Sequence, residues 1–397
     1  MRILALCLSL LATPAAAETI SAEIGRAGLA ATEARLSALP AASAEEAFAL
    51  GGVRFLRAIE SSFQIRWQNG LTDQTGLLPL LRLPLADNPA PQPFDPGAIA
   101  KVFSAAEGHL AASLAVLDGI DPGQEFGLEI RLEDLWFDID GNGQRQPGEG
   151  MMEVAGPMIL GADWLDRPAD QPGPVIRFDR ADAAWLAAYA HLLSALSEVV
   201  LAYDPTEAVT RVMGALQGMQ ALAPLERDRL FGTPNPPHAV DILAIFIATL
   251  DQQPDATRMA AAHAHLLNVI AQNRRFWELV AQETDNQAEW LPNDAQQSAL
   301  GTALPPGTGD RWRAVLAEAE AILQGRALIP YWRLSEGAGV NIQRVFLEPR
   351  PVDVAGWIQG WAALPYLEQG VMASTEAVDA FGDMAEGQAM LLALWLN

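Results

Sequence analysis

The stretch Ala44-Glu45-Glu46-Ala47-Phe48-Ala49-Leu50-Gly51-Gly52-Val53-Arg54-Phe55-Leu56-Arg57-Ala58-Ile59-Glu60-Ser61-Ser62-Phe63-Gln64-Ile65-Arg66-Trp67-Gln68-Asn69 decides the fold class. Phe48, Phe55, Leu56, Ile59 and Phe63 recur at helical spacing and form an apolar stripe, while Arg54, Arg57 and Gln64 lie off it. The same period runs through most of the chain. It predicts a preceding helix over 20–38, joined at the Pro40 turn, and later helices over 98–117, 182–201, 206–220, 239–251, 255–284, 310–323, 352–367 and 374–396. The expected fold is therefore mainly α, with antiparallel helices packed in one or two bundles.

One segment breaks the helical period. Leu128-Glu-Ile130-Arg-Leu132 alternates apolar and polar residues, as a strand does. Met151-Met-Glu-Val154 reads as a returning strand. Between them lies Asp138-Ile-Asp140-Gly-Asn142-Gly143-Gln144-Arg145-Gln146-Pro147-Gly148-Glu149, which satisfies the spacing D-x-[DN]-x-[DN]-G-x5-E. Ca2+ takes six to eight oxygens, so carboxylates and amides have to converge within a few residues. These twelve residues resemble the loop of the EF-hand family. The resemblance implies a calcium site with Asp138, Asp140 and Asn142 at positions 1, 3 and 5, and Gly143 at the sharp turn. It also implies the carbonyl of Gln144 at position 7, Gln146 at 9 and Glu149 at 12. It stops at the loop: Pro147 and Gly148 stand where an EF-hand starts its leaving helix, and both resist a helical first turn. Arg145 replaces the usual apolar residue, and no second such loop occurs. A lone calcium loop on a short extended insertion, about 128–155, acting as a staple, is expected.

The first seventeen residues, with Arg2, an apolar core and Ala15-Ala-Ala17, read as a secretory signal peptide cleaved before Glu18. The expected location is periplasmic or extracellular. Cys7, the single cysteine, lies inside that leader, so disulfides and thiolate chemistry are not expected in the rest of the chain. The apolar stretch 185–203 contains His191 and Glu198 and reads as a buried helix, so no membrane span is expected beyond the leader. Acidic residues number 49 against 25 basic ones, and Lys101 is the only lysine. Such a charge repels nucleic acid and favours cations or basic partners. The Pro-rich break Gly232-Thr-Pro234-Asn-Pro236-Pro237 is the candidate boundary between helical regions 18–231 and 238–397, which also suit one continuous domain.

No Gly-x-Ser-x-Gly elbow, His-Glu-x-x-His, phosphate loop or dinucleotide fingerprint is present. His263 and His265, two apart on a helix, point away from each other and cannot share one metal from it. His191 reads as a core histidine. Arg274 and Arg275 stand at ion-pairing spacing from Glu278. Two segments carry other chemistry. Glu283, Asp285 and Glu289 form a carboxylate cluster suited to acid/base work. Trp332, Arg333, Arg344, Arg350, Trp357 and Trp361 bring guanidinium groups and aromatic faces together, as a small-ligand site requires. The expected function is an exported, non-catalytic calcium-binding protein of the cell envelope, with a structural ion and an unidentified small ligand or envelope partner. The alternative is a periplasmic hydrolase using the 283–289 carboxylates, with the 331–361 segment binding substrate.

Overall fold

The computed structural model describes residues 18–71, 79–121, 123–156, 173–222, 238–301 and 304–384. The leader 1–17 and the Pro-rich break at 232–237 lie outside the described residues. The fold is mainly α, with small antiparallel sheets.

The helix Ala44–Asn69 has the bounds its sequence pattern predicts. Ser43 starts it with a capping box: its hydroxyl accepts from the Glu46 N–H at 3.2 Å, and Glu46 accepts from the Ser43 N–H at 2.9 Å. Replacing Ser43 with Ala is expected to cost about 1 kcal/mol, read as a lowered midpoint in urea unfolding with an unchanged slope. The helix is not buried on one stripe alone. Glu60, Ser61, Ser62 and Arg66 are buried with Phe48, Phe55 and Phe63, because neighbours cover several faces. Ala98–Leu117 crosses so closely at Gly51 that a Cβ there would meet Leu117 Cδ2 at 2.6 Å. Ser113 Oγ donates to the Gly51 carbonyl at that crossing.

The helices then pack neighbour to neighbour. Ile20–Ser37 lies on Ala44–Asn69, and Ala98–Leu117 on Arg180–Tyr203. Arg180–Tyr203 runs along Ala256–Val280, which also meets Thr308–Leu323. One buried cluster joins Phe48, Phe63, Leu110, Phe276 and Trp312, so residues from both sides of 232–237 share one core. Arg180–Tyr203 is long and apolar enough by length and composition to span a bilayer, yet 61% of its apolar window is buried inside the protein.

Four local expectations are corrected. Leu128–Arg131 is a strand, but its antiparallel partner is Val175–Phe178, with Leu128 opposite Phe178 and Ile130 opposite Ile176. Met151–Val154 is instead a helical turn. The Glu153 carboxylate accepts from the N–H groups of Gly148 and Gly150, which caps that turn and sends Met152 and Val154 into the core. The expected helix over 352–367 divides into Val354–Gln359, a 3-10 turn Leu364–Tyr366 and a strand Leu367–Gln369. That strand completes a sheet with Ile329–Pro330 and Ala338–Val340, over a small second core of Tyr331, Val340, Ala363 and Tyr366. Arg274 pairs with Glu320 of the neighbouring helix at 2.9 Å, where the sequence suggested Glu278.

Candidate functional site

The loop at 138–149 is closed at its neck by backbone pairing. The Phe137 N–H donates to the Glu149 carbonyl, and the Met151 N–H to the Leu135 carbonyl, both at 2.8 Å. Gly143 takes φ +74°, a left-handed turn open to glycine at no steric cost. Its N–H donates to Asp138 Oδ2 at 3.0 Å. The helix Ala44–Asn69 grips the residue that opens the loop. Glu60 Oε2 accepts from the Asp138 N–H at 3.1 Å, and Gln64 Nε2 donates to the Asp138 carbonyl at 2.7 Å. These two side chains are four apart on one helix face, so a single rigid element holds both sides of the first ligand position. Burial pushes the Glu60 carboxyl up, against the lowering influence of Arg57, with which it is ion-paired.

Carboxylate oxygens of Asp138, Asp140 and Glu149 lie within 4.8 Å of one another, a cluster that could hold a metal ion. Glu149 is 5% exposed. Its oxygens accept from the N–H groups of Ile139 at 2.9 Å and Gln146 at 2.7 Å, yet burial still pushes its carboxyl above the ordinary range. Asp138 Oδ1 is buried without a hydrogen-bond partner. A buried, unpaired carboxylate oxygen is costly unless a cation or donor meets it.

Asn142, Gln144 and Gln146 stand differently from the three carboxylates. Asn142 Nδ2 and Gln146 Nε2 donate to Asp140 Oδ2 at 2.8 and 3.0 Å, so each amide would have to turn to offer oxygen to a cation. Gln144 donates its N–H to Asn142 Oδ1. Arg145 reaches back to the Glu133 carbonyl at 3.0 Å, where it ties the loop to its entering segment.

The second segment, 283–289, gathers more carboxylates than its sequence contains. Glu283 and Asp285 line a cavity of about 480 Å3 together with Asp179 from the start of Arg180–Tyr203, and Asp182 and Glu289 lie close enough to interact electrostatically with Glu283. Burial, followed by the charge of Asp179, pushes Glu283 up to about 7. Burial also raises Asp182, Asp179 and Glu289. No sequence spacing links 179–182 to 283–289; only the packing of two helices does.

The 331–361 segment does not converge on one pocket of free arginines. Arg344 is paired with Glu348 at 2.7 Å and Glu368 at 3.0 Å. Arg333 lies over the exposed Trp332 ring, 5.1 Å from its centroid. Trp357 stacks on Tyr366 at 5.8 Å, and Trp361 donates its Nε1–H to Asp353 at 2.8 Å while staying largely exposed. Arg350 is exposed beside Pro349. None of these six residues lines the cavity at Glu283.

A pair that the sequence concealed lies between the two long central helices. His191 Nδ1 and His265 Nδ1 are 2.8 Å apart and share a hydrogen bond. His263 turns the other way and bonds the Leu323 carbonyl, as residues two apart on a helix must diverge.

No family model, curated protein or solved structure matches the chain.

Proposed function

We propose that this is an exported, cell-envelope calcium-binding protein, periplasmic or extracellular, in which Ca2+ is a structural ion rather than a reactant. The observation that carries the reading is the convergence of Asp138, Asp140 and Glu149 within 4.8 Å, with Asp138 Oδ1 buried and unpaired. Hard oxygen donors from an aspartate-rich loop suit Ca2+ better than a softer transition metal. Turned amides of Asn142 and Gln146 and the Gln144 carbonyl would complete the shell. A neck closed by backbone bonds and a first ligand gripped by Glu60 and Gln64 favour a fixed staple over a switch. Export rests on the leader-like 1–17 stretch. The hydrolase alternative draws on the perturbed carboxylates near Glu283, but its 331–361 substrate segment lies outside that cavity lining.

The test is thermal unfolding in EDTA and then with Ca2+ at about 1 mM, the scale of extracellular calcium modules. Calcium at ten times its dissociation constant is expected to add about 1.4 kcal/mol, and at one hundred times about 2.7. Asp138→Ala should melt identically with and without calcium. A wild-type melt indifferent to calcium, with no calorimetric binding heat, would refute the reading.

A further inference from the structure

Among the described residues, every large apolar side chain that stands exposed falls in one of two stretches, 219–247 or 332–371. None of them lies on the body formed by 18–201 and 256–323. The first stretch centres on His238–Leu250, whose principal neighbour is Thr206–Leu222. Val240, Ile242, Leu243, Phe246 and Ile247 are exposed along it, at the three- and four-residue spacing of one wide helix face. The second stretch adjoins the first. The Val352 N–H donates to the Leu250 carbonyl at 2.7 Å, and Gln253 Nε2 to the Pro349 carbonyl at 2.9 Å. Val354 and Ile358, four apart on Val354–Gln359, then continue the exposed apolar surface to Trp361 and Leu364.

Charge follows the same division. Residues 206–222, 238–250 and 324–373 hold five basic and six acidic residues, a balance of −1 in a chain whose formal net charge is −24. Several of those charges are already matched: Arg211 pairs with Glu207, Arg344 with Glu348 and Glu368, and Asp353 accepts from Trp361 Nε1. The face therefore offers a partner apolar area with almost no net charge, on a body that repels other acidic surfaces.

We propose that this neutral apolar face is where a second copy of the chain docks, with His238–Leu250 packed on the same helix of its partner about a two-fold axis. A two-fold contact joins a patch to itself, so the patch has to be self-complementary. An uncharged apolar face meets that condition, whereas the acidic body meets its own like charge. Two helices in contact leave an outer stripe open, and a second pair closes a four-helix bundle over it. A lipid surface fits less well. Helices that lie in a bilayer interface carry Lys or Arg on their polar face. Thr206–Leu222 and His238–Leu250 hold one arginine, Arg211, already paired with Glu207. Asp241, between Val240 and Ile242, would be drawn toward hydrocarbon, and a helix of 13 residues is too short to cross it. The inference is independent of the calcium reading.

Sedimentation velocity of the purified protein in EDTA tests the proposal. A particle of two chains is expected, with a dissociation constant of about 1 μM or tighter. Raising the salt from about 0.1 M to about 1 M shortens the screening length from about 10 to about 3 Å, and should tighten the dimer because the two acidic bodies repel. Leu243→Glu and Ile358→Glu, one in each stretch, should each weaken it at least about a hundredfold, since a two-fold contact meets every substitution twice. Both positions are exposed in the single chain, so melting below the dissociation constant should be unchanged. The same holds for Phe246 in dilute protein. Glu278→Ala, on the exposed surface of the body, should leave the dimer intact. Should the Glu variants fail to fold, amide exchange of the wild type decides: exchange in 238–250 must slow as concentration rises through the dissociation constant. A single chain at every concentration, a dimer indifferent to both substitutions, or a dimer that salt dissociates would each overturn the proposal. A single chain that floats with phosphatidylcholine vesicles would overturn it too, and would assign the face to lipid.

Discussion

Phe63→Ala is expected to lower the unfolding free energy by about 3–5 kcal/mol, the cost of emptying a fully buried aromatic position. Phe63 is 0% exposed. Its ring packs 5.2 Å from that of Phe137, and the Arg66 guanidinium sits 5.7 Å above it. Phe137 is also the residue whose N–H closes the loop neck on Glu149. The truncation therefore opens a cavity beneath both the core and the entrance to the metal cluster. Chemical denaturation should show the loss in the absence of calcium, and the calcium-induced rise in melting temperature should shrink as well. Phe246→Ala supplies the contrast. Phe246 is 56% exposed on His238–Leu250, and its loss should stay within about 0.5 kcal/mol. Equal effects at the two positions would mean that the core has been misplaced.

The second large effect is an acid destabilisation carried by His191. Burial, and then the charge of the neighbouring His265, lower its pKa from 6.5 to about 4. The unfolded chain takes up this proton near pH 6.5, whereas the folded chain resists until about 4. Between those values the unfolded state binds more protons, so stability falls as pH falls. Full development of that shift is worth about 3 kcal/mol. His265, lowered mainly by its own burial, acts in the same direction, and Glu107 partly opposes it. Raised carboxylates such as Glu60, Asp182 and Glu283 act oppositely, because they gain their protons more readily in the folded state. The difference between wild type and His191→Gln isolates the histidine. The variant, near wild-type stability at pH 7.5, should become relatively more stable by up to about 3 kcal/mol at pH 4. Parallel stability curves for the two proteins across that range would sink the argument.

The histidine effect comes from a contact between helices that the sequence presents only as separate periodic segments. His191 and His265 are 74 positions apart, each among apolar neighbours, and nothing local joins them. The carboxylate group at the cavity has the same origin. Glu283, Asp285 and Glu289 are visible as a run, but Asp179 and Asp182 reach them only because Arg180–Tyr203 lies along Ala256–Val280. The 331–361 segment shows the opposite case. Its composition suggested ligand-facing arginines, whereas Arg344 is paired with Glu348, four residues on at the end of its helix, and with Glu368 of the strand Leu367–Gln369.

What the sequence determined by itself was whatever depends on near neighbours along the chain. The 44–69 and 98–117 helices have the bounds their periodicity predicts, because the apolar stripe of a helix is written by residues three and four apart. The acidic loop is legible for the same reason: twelve consecutive residues bring Asp138, Asp140 and Glu149 together, and Gly143 supplies the turn. Tertiary structure alone decided which strand pairs with Leu128–Arg131, which helix grips Asp138, and which carboxylates share a cavity. Those outcomes rest on burial and on charges meeting across large sequence separations. Their energies depend on what surrounds a group in space, and no local pattern encodes that.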